Sequence, residues 1–280
     1  MTELDSIDDM FNAGFEPDST STRLWRYVSL EKLLRCLQQE GFWFSTYDRL
    51  GDPWEGTPLW ESIEQSFAPL ISNLIDVIER PRPGVPPDQQ WIDAVQELKE
   101  AIPQNAKPLW DARISCWHCR PSESHAMWKI YAGQGKGFAV CTTLEQLVRG
   151  LHIPEGFQLK IGRVRYTDFD QPNSPDLGRW DALFRKWHYF DYESEVRLVL
   201  VPIEESQDRP DLTLNRGMIV KAELPTTISE VVIAPGSGGS EKEMVENLLH
   251  IYGLGHIPVR ISAMAESPEQ FVDRRSRWSL

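Results

Sequence analysis

Glu195 and Arg197 stand two residues apart in EVRLVLV, the run Glu195–Val201, whose other members are all apolar. In an extended chain alternate residues share a face, so Glu195, Arg197 and Val199 point one way and Val196, Leu198 and Leu200 the other. An unpaired charge buried on such a strand costs roughly several kcal/mol, so the two either neutralise each other as a structural pair or serve a site that needs a held carboxylate. A second group of chemistry-bearing side chains lies in Ile114–Cys141, ISCWHCRPSESHAMWKIYAGQGKGFAVC, where a short helix carries Trp128, Lys129 and Tyr131 beside glycines 133, 135 and 137. Aromatic rings next to a loop on a rigid scaffold are suited to line a pocket. Asp52, Glu55, Glu193 and Glu195 offer carboxylates for a divalent ion, but no HxxE-like or DxD spacing fixes one.

Two other motifs invite chemistry and are read more plainly. Cys116-Trp117-His118-Cys119 is a CxxC without the second ligand pair that would complete four ligands. Strand alternation also sends Cys116 and His118 to one face and Trp117 and Cys119 to the other, which favours buried small side chains over a metal or redox centre. The loop Gly236-Ser237-Gly238-Gly239 between a strand and a helix could cradle a phosphate with backbone N–H groups, yet it lacks the lysine and spacing of a P-loop and reads as a βα turn.

These residues need elements to hold them. Residues 1–22 are acidic and aperiodic, with at most one helical turn around Ile7–Phe11, and read as a flexible arm. Leu24–Val28 reads as a strand, and Ser29 caps a helix Leu30–Gln39 whose Leu30, Leu33, Leu34 and Leu37 form one buried face. Gly41 ends that helix, and Phe42–Ser45 is a second strand. Thr46–Gly56 is a polar loop, either an acidic surface loop or the rim of a pocket. Residues 57–105 read as a helical insertion. Ile114–Trp117 and Phe138–Cys141 are strands whose connection suggests an antiparallel pair. Thr142 caps a helix Leu144–Gly150, Phe157–Tyr166 is a strand, Arg179–Trp187 a helix, and Ile228–Pro235, Glu241–Tyr252 and Val259–Ala263 close the chain as strand, helix and strand. Connections too short for βαβ crossovers predict an α+β domain over 23–263 with a mixed, mainly antiparallel sheet and flanking helices, followed by a polar tail, 264–280.

The 280 residues carry a net charge of −13, which opposes nonspecific binding to a nucleic-acid backbone over the whole surface without excluding a local basic site. Four cysteines form no disulfide framework. No apolar run approaches the roughly 20 residues of a membrane helix, and Met1–Asp9 is acidic where a signal peptide is basic, so a cytoplasmic protein without membrane contact is expected.

Several short segments, in order, resemble the bacterial family catalogued as domain of unknown function 2971. They are Leu24-Trp25-Arg26-Tyr27, Gly41-Phe42-Trp43-Phe44-Ser45, Gly51-Asp52-Pro53-Trp54-Glu55, Ser115-Cys116-Trp117, Met127–Ala132 with Gly137-Phe138, Val164-Arg165-Tyr166 and Tyr192–Arg197. The layout of a strand with Arg and Tyr, a leucine-rich helix, a Gly-led strand and a late strand opening on Glu is also similar to the ADP-ribosyltransferase superfamily. That resemblance implies NAD as substrate and transfer of ADP-ribose to a protein or nucleic acid, as toxin and phage-defence effectors do. It implies a catalytic set of Glu195, Tyr27 and Tyr131 and an NAD-binding set of Arg26, Ser45, Trp128 and Arg197, with no metal. Glu195 would hold the ribose 2′-hydroxyl, Tyr131 or Trp128 would stack on nicotinamide, Arg26 would pair with phosphate beside Tyr27, and Arg197 would orient Glu195. A nonenzymatic nucleotide or nucleic-acid binding module and a metal-dependent hydrolase or nuclease remain as alternatives.

Overall fold

Alternation along Arg23–Val28 builds the strand on which the sheet is centred: Leu24 and Val28 enter one core, Trp25 and Tyr27 another on the opposite face. The computed structural model describes residues 7–13, 16–52, 55–56, 86, 89, 109, 111–132, 136–168, 180–203 and 217–265. Apart from residues 86 and 89, the expected helical insertion 57–105 lies outside these residues, as does most of the tail 264–280. In chain order the elements are β1 (Arg23–Val28), α1 (Leu30–Gln38), β2 (Gly41–Ser45), β3 (Arg113–Cys119), α2 (His125–Tyr131), β4 (Phe138–Thr143) and α3 (Leu144–Gly150). Then come β5 (Phe157–Arg163), β6 (Arg165–Thr167), β7 (Arg185–Trp187), β8 (Glu195–Pro202), β9 (Gly217–Lys221), α4 (Leu224–Thr227), β10 (Glu230–Ile233), α5 (Gly239–Ile251) and β11 (Val259–Ile261).

The architecture is α+β with a mixed, mainly antiparallel sheet. Nine strands join in the order β11-β10-β4-β1-β3-β2-β9, with β8 on β3 and β5 on β8; only β10 and β11 run parallel as neighbours. Burial on both faces explains why β8 is apolar apart from Glu195 and Arg197; all eight of its residues are buried. The β6–β7 pair is separate and parallel.

Local expectations were met or shifted for physical reasons. Ser29 accepts from the Lys32 N–H and caps α1 as expected. The helix is stopped at Glu40, which turns left-handed at φ 44°, and Gly41 serves another end: a Cβ there would stand 2.3 Å from the Val220 carbonyl oxygen of β9. Thr143 rather than Thr142 caps α3, through a capping box with Gln146. Residues expected as one helix over Arg179–Trp187 divide into a 3-10 turn, Asp181–Phe184, and β7. The strand expected over Phe157–Tyr166 breaks at Val164, whose N–H bonds the Glu195 carbonyl. The larger correction concerns β3 and β4, which are not partners. β1 lies between them, antiparallel to both, so α2 carries the chain across β1 to a strand parallel to β3. The described part of the 1–22 arm is docked: Phe11 bridges Ile161, and Asn12 bonds the Ile161 carbonyl and Asp181.

Candidate functional site: a cleft where the sheet divides

One edge of β3 is shared by two strands that leave it in opposite directions. β1 pairs with it only at Leu24–Cys119 and Trp25–His118, and β2 only at Ser45–Ile114. Between these contacts the edge of β3 at Ser115, Cys116 and Trp117 has no strand partner among the described residues, and the sheet opens into a fork. Arg26 sits in the opening. Its Nη1 donates to Ser115 Oγ at 3.0 Å and its Nη2 to the Trp43 carbonyl at 2.6 Å, tying all three strands, while its guanidinium lies over the Trp117 ring at 5.4 Å. Burial pulls its pKa down, and no carboxylate among the described residues pairs with it, so the cation keeps donors for an anion.

Two cavities meet at this fork. One, of about 420 Å³, runs under α1 and is lined by Arg26, Lys32, Arg35, Arg49 and Trp43, with no acidic side chain among the described residues; the other, of about 210 Å³, is lined by Arg26, Tyr27, Ser45, His118, Tyr131 and Glu195, among others. They share Arg26, Tyr27, Lys32, Trp43, Ser45 and Arg49. By alternation Arg26 belongs to the α1 face of the sheet and Glu195 to the opposite face. The gap between diverging strands is what brings both to one space. In a protein of net charge −13, this concentration of cations is a local inversion of the field.

Glu195 opens β8 directly after Ser194, a residue in the left-handed region at φ 42° held by Arg120 Nε on its Oγ at 2.9 Å and by its own N–H to the Asp191 carbonyl. Behind the cleft lies a buried ion cluster. Arg197, wholly buried, donates from Nε to Glu195 at 2.8 Å and grips Glu55 with both terminal nitrogens at 2.7 and 2.8 Å. Lys186 Nζ lies 2.7 Å from Glu193, 3.3 Å from Glu55 and 3.7 Å from Glu195. The Tyr131 hydroxyl donates to Glu193 at 2.6 Å. Three carboxylates thus face two cations, and the imbalance falls on Glu193. Burial, together with the hydrogen bond and charge of Glu195, raises the Glu193 pKa above the ordinary carboxylate range. Burial also pushes Glu195 upward, but the charges of Arg197 and Lys186 outweigh it and hold Glu195 well below that range. Glu195 is the ionised member and lines the cavity, while Glu193 is buried behind it.

Tyr27 receives the Ser124 N–H on its hydroxyl at 2.9 Å, which fixes the first turn of α2 against β1; Ser124 in turn caps that helix by accepting from the Met127 N–H. Burial raises the Tyr27 pKa, so the phenol stays protonated. Five of the seven residues expected in the site, Arg26, Tyr27, Ser45, Tyr131 and Glu195, line the cavity at the fork. Two do not. Trp128 is 2% exposed, edge-on to Tyr27 at 4.8 Å and bonded to Glu123 through Nε1 at 3.0 Å, so it supports Tyr27 and offers no stacking face. Arg197, 0% exposed, is out of a cofactor's reach and spends its donors on Glu195, Glu55 and the Leu183 carbonyl. Lys186 and His118 were not expected as members, and Glu55 was considered only as a carboxylate for a divalent ion. Glu55 belongs to a stretch that reads as a polar loop, yet it is 3% exposed and completes the ion cluster.

No protein-family model matches the chain, so the motif resemblance to domain of unknown function 2971 has no family match behind it, and no curated protein matches either. Among solved structures, DarT of Thermus sp. 2.9 in complex with carba-NAD+ aligns at 11% identity and a TM-score of 0.35, over 89% of this chain and 98% of that one. The same protein in complex with ADP-ribosylated ssDNA aligns at 9% identity and the same TM-score and coverage. A superposition this loose assigns no residue a role.

Among the described residues no group of three or more His, Cys, Asp or Glu side chains is arranged for a metal ion, and no helix is long and apolar enough to cross a membrane. All four cysteines are free thiols. The phosphate cradle considered at the β10–α5 turn is closed by its own helix, because Glu241 accepts from the Gly238 N–H at 3.0 Å and from Ser240 at 2.9 Å.

Proposed function

We propose that the divided cleft binds NAD and breaks the bond between nicotinamide and ribose, passing ADP-ribose to a nucleophile on a protein or nucleic acid. The observation that carries this reading is the convergence, in one cavity, of an ionised and nearly buried carboxylate, Glu195, with a guanidinium, Arg26, that no carboxylate among the described residues pairs. Departure of nicotinamide leaves positive charge on the ribose, and a carboxylate held in place before the reaction stabilises that charge without reorganising. Arg197 and Lys186 keep Glu195 ionised and oriented, while Arg26, with Lys32 and Arg49 nearby, supplies the positive field for the pyrophosphate. Tyr131, half exposed at the cavity wall, presents its ring to the nicotinamide side, and Tyr27 lines the ribose side.

The cation-lined cavity under α1 also supports a nucleotide-binding module without chemistry, and one experiment separates the two. The protein is incubated with NAD, with and without cell lysate and with and without EDTA, and nicotinamide is followed by chromatography. Release that survives EDTA supports transfer; release lost to EDTA supports a metal-dependent reaction; NAD that binds and stays intact in every arm supports the binding module.

A further inference from the structure

His118 is 2% exposed, lines the cavity, and is the cross-strand partner of Glu195 in the β3–β8 register. Its Nδ1 meets the carbonyl oxygen of Glu193. A carbonyl only accepts, so Nδ1 carries the proton and Nε2 is left with a lone pair. Nε2 is buried and has no hydrogen-bond partner among the described residues. A buried acceptor without a partner costs free energy and in a folded protein calls for a reason. Here the ring stands at the wall of the cleft, edge-on to Tyr27 at 5.9 Å and on the same face of the sheet as Glu195.

Resting on the NAD-transfer reading above, we infer that His118 is the general base of the reaction, its Nε2 taking the proton from the nucleophile that attacks the ribose. The balance is simple. The bond from ribose C1′ to the nicotinamide nitrogen breaks with its electron pair going to nicotinamide, which leaves neutral. The nucleophile forms the new bond to C1′, and its proton passes to Nε2 and then to solvent. The groups facing the imidazole are Glu195 from β8, Arg120 at the end of β3, Tyr27 from β1, and the Glu193 carbonyl, with Tyr131 of α2 held on the Glu193 carboxyl. Burial, reinforced by Arg120, lowers the His118 pKa against the pull of Glu195 and the carbonyl, so the ring is neutral and able to accept at neutral pH. The imidazolium formed on proton transfer is stabilised by the Glu195 charge and the Glu193 carbonyl.

The test uses the full-length protein with water and then azide as the nucleophile. The His118→Asn amide nitrogen stands where Nδ1 was, so it keeps the bond to Glu193 and loses only Nε2. NAD hydrolysis should fall about 10²- to 10⁴-fold. Azide has no proton to surrender, and it should restore nicotinamide release with ADP-ribosyl azide as product. It should not rescue Glu195→Gln, which lacks the charge that stabilises the sugar. If His118→Asn does not fold, the wild type decides: its hydrolysis rate should fall as the pH drops through the His118 pKa, and that acid limb should vanish with azide. Hydrolysis by His118→Asn at the wild-type rate, a loss that azide does not repair, or an acid limb that persists in azide overturns the assignment. An active wild type with any of these results leaves the NAD reading standing, whereas a wild type that never releases nicotinamide overturns both.

Discussion

Removing Lys186 tests the ion cluster behind the cleft most severely, because its ammonium is 3% exposed and lies within 4 Å of three carboxylates. At an effective dielectric of about 20 each contact is worth roughly 4–6 kcal/mol before the cost of burying the ammonium, itself several kcal/mol, is set against it. Lys186→Met fills a similar volume without charge and leaves Arg197 alone with Glu55, Glu193 and Glu195. Loss of one partner from a buried ionic group costs about 3–5 kcal/mol, which should appear as a lowered urea midpoint. The pH dependence carries the sharper signature. Glu193 already has a raised pKa in the folded protein, and a group raised on folding contributes stability below its unfolded pKa that is lost as pH rises through the folded value. Without Lys186, both Glu193 and Glu195 lose a charge that lowers their pKa, so the folded variant binds protons more tightly than the wild type. The destabilisation should therefore be largest in alkaline buffer and shrink as the pH falls toward the ordinary carboxylate range. A loss below about 1 kcal/mol, or one that does not change with pH, would refute the charge accounting.

Arg26→Ala should weaken binding of NAD about 10- to 100-fold, measured as the change in Kd by calorimetry, because a charge-assisted contact to phosphate is worth about 1.5–3 kcal/mol. Arg26→Lys should recover only part of this, since a lysine cannot span Ser115 and the Trp43 carbonyl while presenting a planar fork. Gly41→Ala should lower stability by about 1–3 kcal/mol in denaturant titrations, its methyl driven into the Val220 carbonyl, with the loss falling on β2–β9 pairing.

Much of the local structure is legible in the residues because local causes decide it. Ser29 before a leucine stripe makes α1, and alternation makes β1 and β8. The failures come where distant segments decide. Nothing in Ile114–Cys141 announces that β1, some ninety residues earlier in the chain, inserts between β3 and β4. Trp128 and Tyr131 lie three apart on one short helix, and only the position of β1 beneath it sends the first into the core and the second to the cleft. Nothing local to Glu55 or Lys186 shows that Arg197 and Glu193, from elsewhere in the chain, are brought against them. His118 is hidden inside a CxxC that draws attention to sulfur, and its meaning depends on a carbonyl 75 residues away.

The most direct measurement is single-turnover nicotinamide release from saturating NAD by the wild type and by Glu195→Gln, with binding of NAD measured on both. Equal binding with release slowed about 10²- to 10³-fold in the variant is the predicted result. Release at the same rate from both proteins would contradict the role given to Glu195 and with it the proposed reaction.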